Sequence, residues 1–268
     1  MSKASEQPSG HTFPSLVGVM QRLIAPDGCP WDREQTLESL RPYLIEECAE
    51  VLDAIDAGSA EDHCEELGDL LMQIVFQAEL RSSEAAFDID AVIAGIRDKL
   101  VRRHPHVFAD SHAEDSAEVL AQWEKIKAAE KAERGIVRTS AIDGVPSALP
   151  GLARAQAISK KAAKVGFDWP DVAGTRAKVD EELGELDEAI AAGDQAAISD
   201  ELGDVLFAIV SLARRLKCDS ELALRDTITK FTKRFHRVEA LLVEADRTMT
   251  ETDIDELDRL WNEVKRER

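Results

Sequence analysis

At 268 residues and 44% hydrophobic content the chain carries enough apolar material to fold around a core without disulfide staples. Its 53 acidic residues against 33 lysines and arginines give a formal net charge of −20, a field that repels nucleic-acid backbones, so a nucleic-acid-binding role is excluded. The sequence opens without a signal-peptide pattern and holds no apolar run near the roughly 18 to 20 residues that span a bilayer, which predicts a soluble, cytoplasmic protein with no membrane partner.

The first predicted element is an amphipathic helix in which Leu16, Val19, Met20, Leu23 and Ile24 recur at helical spacing. A second helix follows Pro42, which suits a first turn. It carries Leu44, Cys48, Val51, Leu52 and Ile55 and reaches Gly58, placed where a left-handed C-terminal cap belongs. Leu67, Leu70, Leu71, Ile74 and Ala78 mark a third helix, and Ile93, Ile96 and Leu100 a fourth. The stretch from Gly135 to Gly151 is rich in turn residues and poor in periodicity, which makes it a linker. Two proline-free spans, 43–104 and 171–268, are rich in helix-forming residues, and no alternating strand pattern interrupts them. Cys29, Cys48, Cys64 and Cys218 stand singly without CxxC spacing and read as reduced, structural thiols.

The chain repeats itself. Glu50-Val-Leu-Asp-Ala-Ile-Asp-Ala-Gly58 returns as Glu185-Leu-Asp-Glu-Ala-Ile-Ala-Ala-Gly193, and Glu66-Leu-Gly-Asp69 as Glu201-Leu-Gly-Asp204, both 135 residues on. Flanking segments keep their order. Pro14-Ser-Leu16 matches Pro150-Gly-Leu152, Trp31-Asp32 matches Phe167-Asp168, Lys99 to Arg103 matches Lys230 to Arg234, and Trp123 to Lys127 matches Trp261 to Lys265.

Within each repeat the acids fall in a pattern. Glu46, Glu47 and Glu50 lie on one predicted helix and Glu66 and Asp69 on the next. Residues three apart share a helix face, so two antiparallel helices joined at Gly58 would direct Glu47, Glu50, Glu66 and Asp69 into one space. Like charges gathered there call for a hard divalent cation, and Mg²⁺ is the natural occupant, with Mn²⁺ as its alternative. Glu181, Glu182, Glu185, Glu201 and Asp204 offer the same set in the second repeat. With one residue in five acidic, a single such pair is ordinarily a solvated face. Two pairs recurring together 135 residues later, bordering the apolar stripe of Leu67, Leu70 and Leu71, are not so easily dismissed.

This pattern, EExxE on one helix and ExxD on the next, resembles the MazG family of all-α nucleotide pyrophosphohydrolases. Gly28-Cys-Pro-Trp-Asp32, Arg102-Arg-His-Pro-His-Val-Phe108 and Val165-Gly-Phe-Asp-Trp169 are similar to segments of that family. The resemblance implies an all-α fold of tandem duplicated helical-bundle repeats, at 12–134 and 151–268 with a linker at 135–150. It further implies Mg²⁺-dependent hydrolysis of nucleoside and deoxynucleoside triphosphates at the α–β phosphate bond. The products would be nucleoside monophosphate and pyrophosphate, the chemistry of nucleotide-pool house-cleaning. Glu47, Glu50, Glu66, Asp69, Glu182, Glu185, Glu201 and Asp204 would then hold the metal, with Glu46 and Glu181 orienting or deprotonating water. Lys178 resembles a family phosphate contact, whereas the first repeat has Tyr43 at that place, and the family habit of pairing acidic helix hairpins implies a homodimer.

A triphosphate needs cations beyond the metal. Lys230 with Arg234, and Lys99 with Arg103, stand one helical turn apart. Trp261 with Lys265, and Trp123 with Lys127, have the same spacing, and an indole can stack on a base. A terminal-helix Trp is equally at home in a core. The pair His104 and His106 lacks further ligands at metal spacing, and Pro105 between them gives it a helix-ending role. Two other readings compete. A di-iron carboxylate bundle requires Glu-x-x-His, which is absent from the chain. A non-enzymatic acidic helical interaction module accounts for the charge but not for the ordered duplication of the acids.

Overall fold

The structure, a computed structural model, describes residues 10–109, 111–133, 135 and 139–267. Residues 1–9, Asp110, Arg134, linker residues 136–138 and Arg268 lie outside the described residues. The chain divides into two compact units, Met1–Gly135 and Ile136–Arg268. Among the described residues every regular element is helical, as the all-α reading requires, and the duplication appears as matched sets of helices.

In the first unit the helices are α1 (Phe13–Ile24), α2 (Pro30–Glu34), α3 (Arg41–Ala57), α4 (Ala60–Ser83), α5 (Ile89–Arg103), α6 (Pro105–Phe108) and α7 (Ser116–Glu133). The second holds α8 (Gly151–Lys164), α9 (Val172–Ala192), α10 (Gln195–Arg215), α11 (Ser220–Glu244) and α12 (Ile254–Val264), with a 3-10 turn at Met249–Glu251. Capping chemistry fixes several starts. Thr12 and Ser15 form a reciprocal capping box on α1, and Ser59, Asp88, Asp171, Asp194, Asp219 and Asp253 each accept amide hydrogens of the first turn that follows. Pro42 occupies the first turn of α3, and Gly58 ends that helix at φ 71°, where its amide donates to the carbonyls of Ala54 and Ile55. Gly193 ends α9 in the same way at φ 69°. Each pair, α3 with α4 and α9 with α10, is therefore a tight helix hairpin, and these hairpins carry the acids.

The first unit is centred on Met20, Leu40, Val75, Phe76, Ala78 and Ile89, backed by Phe13, Leu16 and Leu71. In the second unit Val238, Leu242, Leu260 and Val264 of α11 and α12 form a cluster on which Leu257 and Trp261 pack. Burial departs from the predicted stripes. In α4 the predicted Ala78 is deeply buried, but Leu67 and Ile74 are not, and Gln73, Val75, Phe76 and Glu79 are buried beside it. Leu52, Ile55, Leu67, Ile74, Ile93, Ile96 and Leu100 keep between 39% and 53% of their surface exposed. Periodicity reveals that a helix has an apolar face, not whether the same chain covers it. Residues 139–150 contain no helix, and Asp143 accepts hydrogen bonds from the amides of Thr139 and Ser140 there.

Candidate metal centres and nucleotide cleft

The hairpin of the first unit brings carboxylate oxygens of Glu47, Glu66 and Asp69 within 4.8 Å of one another. Glu50, one turn beyond Glu47 on α3, stands outside that triad but bears on it electrostatically. Its charge and that of Asp69 help to hold the Glu66 carboxyl above its ordinary range, after burial as the first cause. Glu47 is raised too, by burial first and then by Asp69, Glu50 and Glu46. Gln73 opposes this through a hydrogen bond from its Nε2 to Glu47 Oε1 at 3.5 Å. Carboxyls that repel one another in this way favour a bound divalent cation, which neutralises them and offers a hard centre to oxygen donors. The all-oxygen, close-set triad fits such an ion.

The second hairpin repeats the triad with Glu182, Glu201 and Asp204, again within 4.8 Å, and Glu182 is deeply buried. Its surroundings differ. Lys178, one turn before Glu182 on α9, places Nζ 2.8 Å from Glu181 and 2.9 Å from Glu182. Those two partners hold the ammonium well above the ordinary lysine range, so it stays charged. Glu185 is raised by a hydrogen bond shared with Glu182 and by burial, with Glu201 adding repulsion. Tyr43, at the matching place on α3, packs edge-on against Trp31 with ring centroids 5.9 Å apart and brings no charge to the first triad.

Beside the second triad opens a cleft of about 820 Å³. Its polar end is made by Lys178, Glu182 and Asp204. Its walls are apolar, supplied by Ile142, Ile158, Val165, Phe167, Trp169 and Phe207, with the small residues Thr175, Ala208 and Ser211 among the lining. The loop bearing Phe167 and Trp169 is pinned from below. Asp168 pairs with Arg214 at 2.5 Å and Arg215 at 3.5 Å, and the nearer guanidinium draws its carboxyl below the ordinary range. Arg214 Nε also donates to Ser159 Oγ at 2.9 Å, and Ser159 and Ser211 share a hydrogen bond at 3.2 Å. Sequence reasoning matched Asp168 to Asp32 but missed Arg214 and Arg215, because basic residues in a helix's last turn read as ordinary dipole partners.

The remaining candidate residues are placed as follows. Lys230 is exposed and Arg234 half-buried on α11, Trp261 packs on the α11–α12 core with its ring 5.0 Å from Phe231, and Lys265 follows the end of α12. Among the described residues none from α11 or α12 lines the cleft. In the first unit Lys99 is half-buried on α5. Arg103 is joined to buried Glu130 of α7 at 2.5 Å, with Arg102 on the same carboxylate at 2.7 Å, and the pair drives the glutamate down to about 2. Trp123 meets the edge of His104 at 4.9 Å, and Lys127 lies 5.4 Å from the Trp123 ring centre. His104 caps α5 and Pro105 starts α6, the helix-ending geometry expected of that segment.

The fold and site define a duplicated all-α protein with a carboxylate triad on each helix hairpin that could hold a metal ion, the second triad opening on a cleft. The family model for the MazG nucleotide pyrophosphohydrolase domain matches the chain twice, over residues 35–108 and 172–240. The chain is 47% identical over 255 residues to a nucleoside triphosphate pyrophosphohydrolase of Escherichia coli (strain K12), covering 94% of this chain and 96% of that protein. It is 44% identical over 257 residues to the Thermotoga maritima nucleoside triphosphate pyrophosphohydrolase/pyrophosphatase MazG, covering 96% and 97%. A solved mazG-related protein from Thermotoga maritima aligns with 43% of this chain and 98% of its own at 23% identity and a TM-score of 0.38. The chain belongs to the MazG nucleotide pyrophosphohydrolase family.

Proposed function

We propose that this protein hydrolyses nucleoside and deoxynucleoside triphosphates between the α and β phosphates, releasing nucleoside monophosphate and pyrophosphate, as a cytoplasmic guardian of the nucleotide pool. The observation that carries this reading is the juxtaposition of the Glu182, Glu201 and Asp204 triad with Lys178 at the polar end of a nucleoside-sized cleft. The family relatives named above support the activity. The functional repeats are 12–134 and 151–268, joined by 135–150.

Glu182, Glu185, Glu201 and Asp204 hold Mg²⁺ in the second repeat, and Glu47, Glu50, Glu66 and Asp69 form the matching set in the first. A bound Mg²⁺ supplies charge neutralisation of the phosphates and a water of lowered pKa. The chain's own groups do the rest. Lys178 turns its ammonium toward phosphate oxygens, and Glu181, which the same lysine holds beside the triad, accepts the proton of the attacking water. Glu46 takes that position in the first repeat. Lys230, Arg234, Trp261 and Lys265, with Lys99, Arg103, Trp123 and Lys127 as their counterparts, are second-line contacts to the triphosphate. Arg103 must loosen its grip on Glu130 to serve. Incubation with Mg²⁺ and a panel of triphosphates should yield pyrophosphate and monophosphate, and EDTA should stop the release. Orthophosphate and diphosphate as first products would overturn the bond assignment, and turnover in EDTA would overturn the metal.

The half-exposed apolar residues of the hairpin, among them Ile45 at 69%, Ile55 at 53% and Leu67 at 47%, support self-association as a homodimer. Light scattering under assay conditions should give twice the 29.5 kDa of one chain. A monomeric mass from an active sample would rule out a required dimer.

A further inference from the structure

The stretch between the repeats is more than a tether. Its residues belong to the second compact unit, which begins at Ile136, and they fold into a closed turn. Asp143 Oδ2 accepts the amides of Thr139 and Ser140, each at 3.0 Å, and the Thr139 hydroxyl at 3.3 Å. Gly144 follows at φ 76°, a left-handed conformation that suits glycine. Lys161 of α8 donates to the carbonyl of Asp143 at 2.5 Å, which fastens the turn to the helix. A spacer that only joins two bodies is solvated and gains nothing from such bonds. Ala141 and Ile142, held inside this turn, line the cleft together with Ile158 and Ala162 of α8. Ile142 keeps 42% of its surface exposed and belongs to neither core cluster of the described residues, so filling the interior is not its role.

The cleft has a direction. Asp204, Ala208 and Ser211 recur on α10 at i, i+4 and i+7 and all line it, which carries this wall about 10 Å along the helix from the triad. Ser211 is tied to Ser159 of α8 at 3.2 Å, and Lys161 lies within one helical turn of Ser159. The linker turn is thus fastened at the part of α8 that meets Ser211. We infer that Ile142, set in place by Asp143 and Lys161, is a contact for the nucleoside moiety of the substrate, so that the linker between the repeats takes part in substrate selection. This inference rests on the nucleotide reading proposed above. An isoleucine side chain offers neither charge nor a hydrogen bond, so it reads a base or sugar by contact and excluded volume and leaves the phosphates to the polar end of the cleft. Among the described residues Asp143 and Lys161 stay out of the cleft lining and act through Ile142, as positioning residues.

The test titrates the full chain in Mn²⁺ with a non-hydrolysable α,β-methylene nucleoside triphosphate and, separately, with inorganic tripolyphosphate, which carries the phosphate chain without a nucleoside. Ile142→Ala should weaken binding of the nucleoside analogue by about 10- to 200-fold and leave the affinity for tripolyphosphate as in the wild type. In steady state KM for a triphosphate should rise while kcat holds, the mark of a contact made equally in ground and transition states. Lys161→Met should shift the analogue in the same direction through the loosened turn, and Lys161→Arg, which keeps a cation in reach of the Asp143 carbonyl, should restore it. Should Ile142→Ala fold poorly by circular dichroism, Ile142→Val carries the test with the same split between the two ligands. Equal loss of both ligands, or wild-type affinity for the analogue in a folded variant, overturns the inference. A wild-type chain that takes up Mn²⁺ but binds no analogue overturns the nucleotide reading beneath it.

Discussion

Glu182→Gln is expected to lower kcat for pyrophosphate release by on the order of 10² to 10³, while Glu47→Gln leaves the rate within about threefold of the wild type. Glu182 sits at the centre of the second site. Its side chain is 9% exposed, it contributes an oxygen to the triad, and it receives Lys178 at 2.9 Å. An amide keeps its size and helix propensity but loses the charge that holds a cation. Glu47 makes the same contribution to the first triad but has Gln73 for a hydrogen-bond neighbour where Glu182 has Lys178. The check is steady-state pyrophosphate release from one triphosphate by both variants, with matched circular dichroism spectra. The opposite ranking would make the first unit the working site.

Lys178→Met should cost a similar factor, about 10² to 10³ in kcat/KM. Methionine preserves most of the aliphatic stem and removes the ammonium. Two things are lost together: a phosphate contact and the neutralisation of Glu181 and Glu182, which that ammonium bridges. Because those carboxylates keep the lysine charged far above neutrality, alkaline pH alone should not reproduce the variant's defect between pH 7 and about 10. The reciprocal change, Tyr43→Lys, should leave the first unit silent. A lysine supplies charge, but Glu47 keeps its contact with Gln73, where the second unit has Ala208 at the matching position. Activity above about 5% of the wild type in the Tyr43→Lys, Glu182→Gln double variant would show that charge was the only thing missing.

The acids were legible in the sequence because their information is local. Spacing of three on each helix, a turn marked by Gly58 or Gly193 and a second occurrence 135 residues on are all visible along a line of text. The structure brings three of each predicted four into one triad and leaves Glu50 and Glu185 beside it, a distinction that depends on rotamer and hairpin crossing and has no trace in spacing. The cleft was illegible for a different reason. Its lining comes from residues as far apart as Ile142 and Ser211 and includes small side chains such as Ala208, which no motif records. Trp261 could be read two ways along the sequence, as a stacking partner by its spacing with Lys265 or as a core residue, and its ring packs near Phe231 on the α11–α12 cluster. Arg103 could not be known to face Glu130, since the partner lies 27 residues on, across a helix end.

The hairpin turns carry one more consequence, which concerns phase. From Glu50 to Glu66, and from Glu185 to Glu201, the chain counts the same sixteen residues, although loops elsewhere in the repeats changed length. A helix advances about 1.5 Å and rotates about 100° with each residue. One residue added at Ser59 or Asp194 would leave both helices intact, still capped and still apolar on one side. It would turn the second helix of the hairpin as a unit by about 100°, carrying its ExxD acids and its apolar face together off their present angle to the partner helix. The turn thus behaves as a gear setting between two rotors: the acids of the two helices meet only while the count of teeth between them is kept.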